Sequence, residues 1–274
     1  MKAYWWAVQP NFGDQLTPFF ADRLLGTPVT WAPPEDAEIV LVGSVLDVLP
    51  PDWSGIIAGA GQLHERTTVP PLADVRALRG ALSARSYGGD VVLGDPALLM
   101  DELVPEEEKQ YNLGLIPHWT DRNTATLAKR FAHLDPHVID PAQDPATVAR
   151  EISRSKKIVS SSLHGIIIAD AYGIPRRAET FPKMSSHHEG GTFKFEDYAT
   201  VTGVPMEFGK LQEPDRQSIE RAQVELFDMF EHLKGEIDAS RANQHPGPLP
   251  SGQRLPRGRL GLAARLLGAR ASRR

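Results

Sequence analysis

The chain has 274 residues and no cysteine, which excludes disulfides, thiolate metal sites and thiol nucleophiles. No apolar run approaches the roughly 18 residues that span a bilayer. The opening MKAYWWAVQPNFGD holds too short an apolar stretch for a secretory signal, so a cytoplasmic location is expected. No G-x-G-x-x-G follows the first apolar segment, and neither a P-loop nor G-x-S-x-G occurs. Nothing therefore points to hydride transfer on a dinucleotide, P-loop nucleotide hydrolysis or serine hydrolysis. A basic surface is missing too. The net charge is −5, and Arg254–Arg274 holds seven arginines and no acid, so the remainder carries −12. A body this acidic is not a general nucleic-acid binder.

What is present is a succession of short apolar runs separated by glycine, proline and helical patterns. Lys2–Val8, Glu38–Val42, Gly55–Ala58, Val75–Arg79 and Val91–Leu93 read as strands, and most lack polar–apolar alternation. Both faces are then covered, the mark of a parallel sheet between helices. Gln15–Leu25 has helical spacing, with Pro18 in its first turn. A second series follows: strands at Tyr111–Pro117, His137–Ile139 and Lys157–Ser160, and helices at Asn123–Phe131, Pro145–Ser155 and Gly165–Tyr172. Glu213–Ile237 carries one apolar stripe from Ile219 to Ile237. The expected organisation is an N-terminal α/β lobe over residues 1–105 and a C-terminal α/β lobe with the long final helix over 106–240. Residues 241–274 read as a Pro/Gly-rich linker and a basic flexible tail. A ligand would lie in a cleft between the lobes, at the carboxyl ends of the strands.

Several residues at those ends bear chemistry. In KIVSSSLHGIIIADAYGIP a strand hands over to a helix through three serines and a histidine. A helix starting near His164 offers free amides and a positive dipole end to a phosphate or carboxylate. Ser161 and Ser162 can cap it or donate to the anion, and Gly165 permits close approach. His164 suits proton transfer near neutral pH; the plainer alternative is a packed histidine on a capped helix. In Asn11-Phe12-Gly13-Asp14, Asp14 is either a helix N-cap or a carboxylate that accepts a substrate proton. Arg79 and Arg85 flank a glycine after a strand, where a guanidinium forks onto an anion or makes a surface salt bridge. His118 ends the strand YNLGLIP. MSSHHEGG, at 184–191, has metal-binding residue types without a strong metal spacing, and no metal is expected. As a lid, this loop would deliver Lys194 to an anion.

NFGD after the first strand, RGALS and LGDPALL late in the first half, IPH in the second, then SSSLHGIIIADAYGIP and KFEDY come in an order that resembles the polysaccharide pyruvyl transferase family. The resemblance runs from about Tyr4 to Gly203. It implies two Rossmann-like lobes of the GT-B kind. It also implies transfer of a pyruvyl group from phosphoenolpyruvate onto two sugar hydroxyls as a cyclic ketal, with no cofactor. Many members carry arginine where this chain has Ser162; the serine form resembles an exopolysaccharide subgroup, and the donor's charge must then be met elsewhere. Arg79 is the first candidate, followed by Arg85, Lys194 and Arg176. By this resemblance His164 and Asp14 are catalytic. Asn11, Arg79, Arg85, His118, Ser161, Ser162, Gly165 and Lys194 bind substrate. The implied partners are phosphoenolpyruvate and a sugar acceptor, lipid-linked in one version.

Two other classes share these features: a nucleotide-sugar glycosyltransferase on the same architecture, and a non-catalytic glycan-binding protein. The basic tail reads as a solvated end or, more sharply, as a weak contact with an anionic membrane surface at the inner face.

Overall fold

The computed structural model describes residues 1–65, 68–122, 125–181, 184 and 190–244. The chain builds two sheets in succession, each flanked by helices, so the α/β class expected from the apolar runs holds. The first sheet contains β1 (Lys2–Ala3), β2 (Thr30–Trp31), β3 (Ile39–Val40), β4 (Ile56–Ala58), β5 (Asp74–Leu78) and β6 (Val92–Leu93). Its order is β2-β1-β3-β4-β5-β6, and every adjacent pair is parallel. The second contains β7 (Gly114–Ile116), β8 (His137–Val138), β9 (Ile158–Ser160), β10 (Arg176–Ala178) and β11 (Leu211–Gln212). Its order is β11-β10-β9-β7-β8, with only the β11 edge antiparallel.

Both orders reverse direction once. The first reverses between β1 and β3, the second between β7 and β9. At such a switch point the connections leave to opposite faces and open a crevice at the carboxyl ends of the strands.

The helices are α1 (Phe12–Leu25), α2 (Ala81–Arg85), α3 (Met100–Leu103), α4 (Thr126–Phe131), α5 (Pro145–Ser153), α6 (Leu163–Ala171), α7 (Phe193–Thr202) and α8 (Arg216–Gln244). α6 is buried along its whole length, which matches its apolar sequence IIIADA. It lies between the second sheet and a 3-10 turn, Pro96–Leu99, of the first lobe. α8 returns to the first lobe and sets Ile219, Leu226, Phe230 and Leu233 against its apolar side. One cluster of buried side chains consequently runs through both lobes, from Phe12, Leu16 and Phe20 through Leu98 and Leu99 to Ile166, Ile168 and Phe230.

Two local expectations change. β1 stops at Ala3, although Tyr4 and Trp5 remain buried. α1 begins at Phe12, three residues early, because the Asn11 side chain accepts from the Gly13 amide and caps it. Pro18 therefore falls in the second turn rather than the first, and Asp14 lies inside the first turn rather than at the cap. The described part of α4 runs Thr126–Phe131 after Ala125 in a left-handed conformation, and residues 123–124 of the expected helix lie outside the described residues. No helix among the described residues is long and apolar enough to cross a membrane.

Candidate active site at the two switch points

After β1, Asn11 caps α1 and the first turn of that helix carries Gly13 and Asp14. The segment after β7 supplies His118; after β9 come Ser161, Ser162 at the N-cap of α6, and His164 in its first turn. Both switch points thus carry residues singled out in the sequence.

The two loops of the second lobe are tied together. The His118 amide donates to Ser161 Oγ (2.7 Å), and the Ser161 amide donates to the Ile116 carbonyl (3.1 Å). The Ser160 hydroxyl accepts from the Ser162 amide (3.0 Å). Ser162 occupies the N-cap of α6, but its side chain makes no capping bond. The first-turn amides of α6 and the positive end of its dipole therefore stand at the point where β9 ends.

The first lobe meets this helix end directly. A Cβ on Gly13 would overlap Nδ1 of His164, so glycine is required for the loop to lie against the imidazole. The Phe12 amide donates to the Pro141 carbonyl of the second lobe (2.8 Å) and fixes that approach. Asp14 accepts from Asn11 Nδ2 (2.9 Å), and its charge adds to the burial that raises the Tyr4 hydroxyl above its usual range.

On its other side His164 faces Asp95, a residue quoted in LGDPALL but not nominated for the site. Nε2 lies 3.4 Å from Asp95 Oδ2. Asp95 is fully buried, and its Oδ1 accepts from the Ala97 amide (2.9 Å), capping the 3-10 turn. A signal was available: aspartate before Pro-Ala-Leu-Leu reads as a cap. Its second oxygen, aimed across the lobe interface, has no sequence signature.

His118 and Lys194 also come together. The His118 ring stacks on Phe181, with centroids 3.9 Å apart, and Lys194 Nζ lies 5.5 Å from the same Phe181 centroid. Burial, reinforced by the Lys194 ammonium and opposed by Asp121, pushes His118 down to about 3. It is therefore a neutral imidazole at physiological pH. Its Nδ1 accepts from the Thr120 amide (3.3 Å).

The arginines lie elsewhere. Arg79 is fully buried and donates from Nε to Asp197 Oδ2 (3.0 Å), from Nη1 to Ser44 Oγ (2.6 Å) and from Nη2 to the Gln62 carbonyl (2.5 Å). The donors expected on a ligand are instead taken up by a carboxylate of α7, a hydroxyl and a backbone carbonyl. Arg176 is likewise buried, donating from Nε to Asp170 Oδ1 (3.0 Å), and Tyr198 Oη donates to Oδ2 of the same carboxylate (2.8 Å). Arg85 is exposed at the end of α2. Gly165 does permit a close approach, but of the sheet: a Cβ there would overlap Ser160 Oγ and press on Ile116. Residues 185–189 of MSSHHEGG, and 245–274 with the basic tail, lie outside the described residues.

The model for polysaccharide pyruvyl transferase matches residues 66–178, which take in Asp95, His118 and the SSSLHG helix end. The succinoglycan biosynthesis protein ExoV of Rhizobium meliloti (strain 1021) is 33% identical over 217 residues, covering 74% of this chain and 66% of that protein. The uncharacterized protein L143 of Acanthamoeba polyphaga mimivirus is 27% identical over 209 residues, 71% of each. The chain thus spans roughly two thirds of the length of these curated relatives. No solved structure matches it significantly.

Proposed function

The chain belongs to the polysaccharide pyruvyl transferase family, and from that premise we propose that it transfers a pyruvyl group from phosphoenolpyruvate onto two hydroxyls of an exopolysaccharide sugar, forming a ketal. The succinoglycan assignment of one relative supports an exopolysaccharide acceptor. The observation that carries the reading is the meeting of NFGD with the α6 N-terminus at two facing switch points, with His118 tied to Ser161 and the Lys194 ammonium beside the His118–Phe181 stack.

The donor carries a carboxylate and a phosphate. The α6 amides and Lys194 meet that charge, while Ser161 and Ser162 add hydroxyl donors. Arg79 and Arg176 are engaged with buried carboxylates, and Lys194 brings an ammonium next to His118 and Phe181. Neutral His118 adds hydrogen bonding without adding a cation.

In the reaction, the His164 imidazolium gives a proton to the donor's methylene carbon. The π pair forms the new C–H bond and leaves C2 cationic. A sugar hydroxyl attacks C2 and passes its proton to Asp14. The bond between C2 and the phosphate oxygen breaks, and its electron pair departs with phosphate, which takes the Asp14 proton. The second hydroxyl closes the ring at C2 and its proton returns to His164. Each acid or base step contributes about 10²–10⁴-fold.

The test is ligand-dependent melting followed by turnover. Phosphoenolpyruvate at ~100 times its Kd should add about 2.7 kcal/mol of stability, and acceptor should then release inorganic phosphate. Stabilisation by a nucleotide sugar and none by phosphoenolpyruvate would make the protein a glycosyltransferase. Glycan binding with no phosphate release would make it a non-catalytic binder.

A further inference from the structure

The Asp95–His164 contact goes one step deeper, and it rests on the reading of His164 as the proton carrier. Among the described residues, Asp95 Oδ2 and His164 Nε2 are both buried side-chain atoms without a hydrogen-bond partner. They face each other at 3.4 Å, on opposite lobes. A fully buried carboxylate with one idle oxygen is unfavourable unless a donor answers it. A short movement of the imidazole lets Nε2–H be that donor, and catalytic hydrogen bonds are often long before substrate tightens them.

We propose that Asp95 is the positioning residue of His164: its Oδ2 holds the proton on Nε2 and so leaves Nδ1, the atom beside Gly13, as the nitrogen that gives and takes the proton. Two separate features agree with this. The cap on Ala97 anchors Oδ1, so Oδ2 has one fixed direction. Gly13 leaves room for the ring on the Nδ1 side. The carboxylate also acts beyond the pair. Tyr198 of α7 is raised well above its usual range by burial and by Asp170, and Asp95 contributes further, so the phenol stays neutral. Because Asp95 belongs to the first lobe and His164 to the second, the imidazole is aligned only while the lobes are docked.

Asp95→Asn is the informative variant. It keeps the capping oxygen and the volume but replaces the charged acceptor with an amide. Full-length protein with 15N-labelled histidine reports the tautomer, the His164 signals being those lost in His164→Gln. For the neutral ring, the form left once the proton has been given, the wild type is expected as the Nε2–H tautomer and Asp95→Asn with its population shifted toward Nδ1–H. kcat should fall about 10²–10⁴-fold with little change in KM for phosphoenolpyruvate. On a His164→Ala background the same exchange should cost nothing more, since the two act as a unit. If Asp95→Asn does not fold, Asp95→Ser, which also caps, carries the same expectations. An unchanged tautomer overturns the inference. So does a changed tautomer with wild-type kcat, and that outcome leaves pyruvyl transfer intact. A wild type inactive with phosphoenolpyruvate overturns the proposed function instead, and the tautomer comparison still decides the pairing.

Discussion

Gly13 has no side chain because His164 occupies the space a methyl group would need. Gly13→Ala should therefore push the imidazole off its position at a cost of about 1–3 kcal/mol, as overpacking does. kcat should drop at least ~10-fold while the protein still melts cooperatively; wild-type kcat would remove this contact from the site. His164→Ala or Asp14→Asn should each lower turnover at least ~100-fold, measured as phosphate release, and a variant with near-full turnover would have no proton-transfer role. His118 gives a pH prediction. Burial holds it neutral down to about 3, whereas the unfolded chain protonates it near 6.5. The unfolded state binds the extra proton between those values, so this contribution is complete above 6.5 and is lost as pH falls toward 3. Between pH 6 and 4, wild type should lose up to about 1.4 kcal/mol per pH unit more than His118→Gln. Parallel urea-derived stability curves would contradict it.

At the scale of elements, α7 is fastened to the first lobe by a buried pair. Asp197 accepts from Arg79 and also from the amide and hydroxyl of Ser83 (2.9 and 2.7 Å). Gly80 allows this, since a Cβ there would strike the Asp197 carbonyl. Lys194 lies one turn earlier on the same helix. Arg79→Met should cost about 3–5 kcal/mol in urea unfolding and weaken phosphoenolpyruvate binding through displaced Lys194. A loss of affinity with full stability would instead make Arg79 a donor ligand. The sequence showed eight of the eleven strands among the described residues, the helix end and the histidine, because apolar runs and glycine-flanked polar turns are local signals; it missed β2, β10 and β11, which are two or three residues long and carry no apolar run. It did not show what Arg79 holds. An arginine beside glycine at a strand end looks the same whether its partner is a ligand or an aspartate 118 residues away. Asp95 escaped for a similar reason: one oxygen serves the local cap, and the other acts across the interface. The cap of α1 was missed because Asn11 and Asp14 are both capping residue types, and only the backbone chooses between them.

At the scale of the molecule, the lobes share a core, a returning helix and the Arg79–Asp197 pair. On the rim, Arg76 of β5 bridges Asp74 (2.6 Å) and Glu236 of α8 (2.8 Å), an exposed contact of minor energetic weight. Calorimetry should accordingly show one unfolding transition; two resolved transitions would mean the lobes fold independently. Leu226→Ala, in the buried stripe of α8, should cost about 2–5 kcal/mol and lower the whole transition rather than split it. Asp95 and Gly13 of the first lobe flank the His164 ring of the second.

The most direct test of the account is a crystal structure of the protein with phosphoenolpyruvate bound. The account predicts the donor at the α6 N-terminus, an anionic group on the first-turn amides and Lys194, and the methylene carbon roughly 3–3.5 Å from His164 Nδ1. A donor bound away from both switch points, or His164 turned from its methylene carbon, would contradict it.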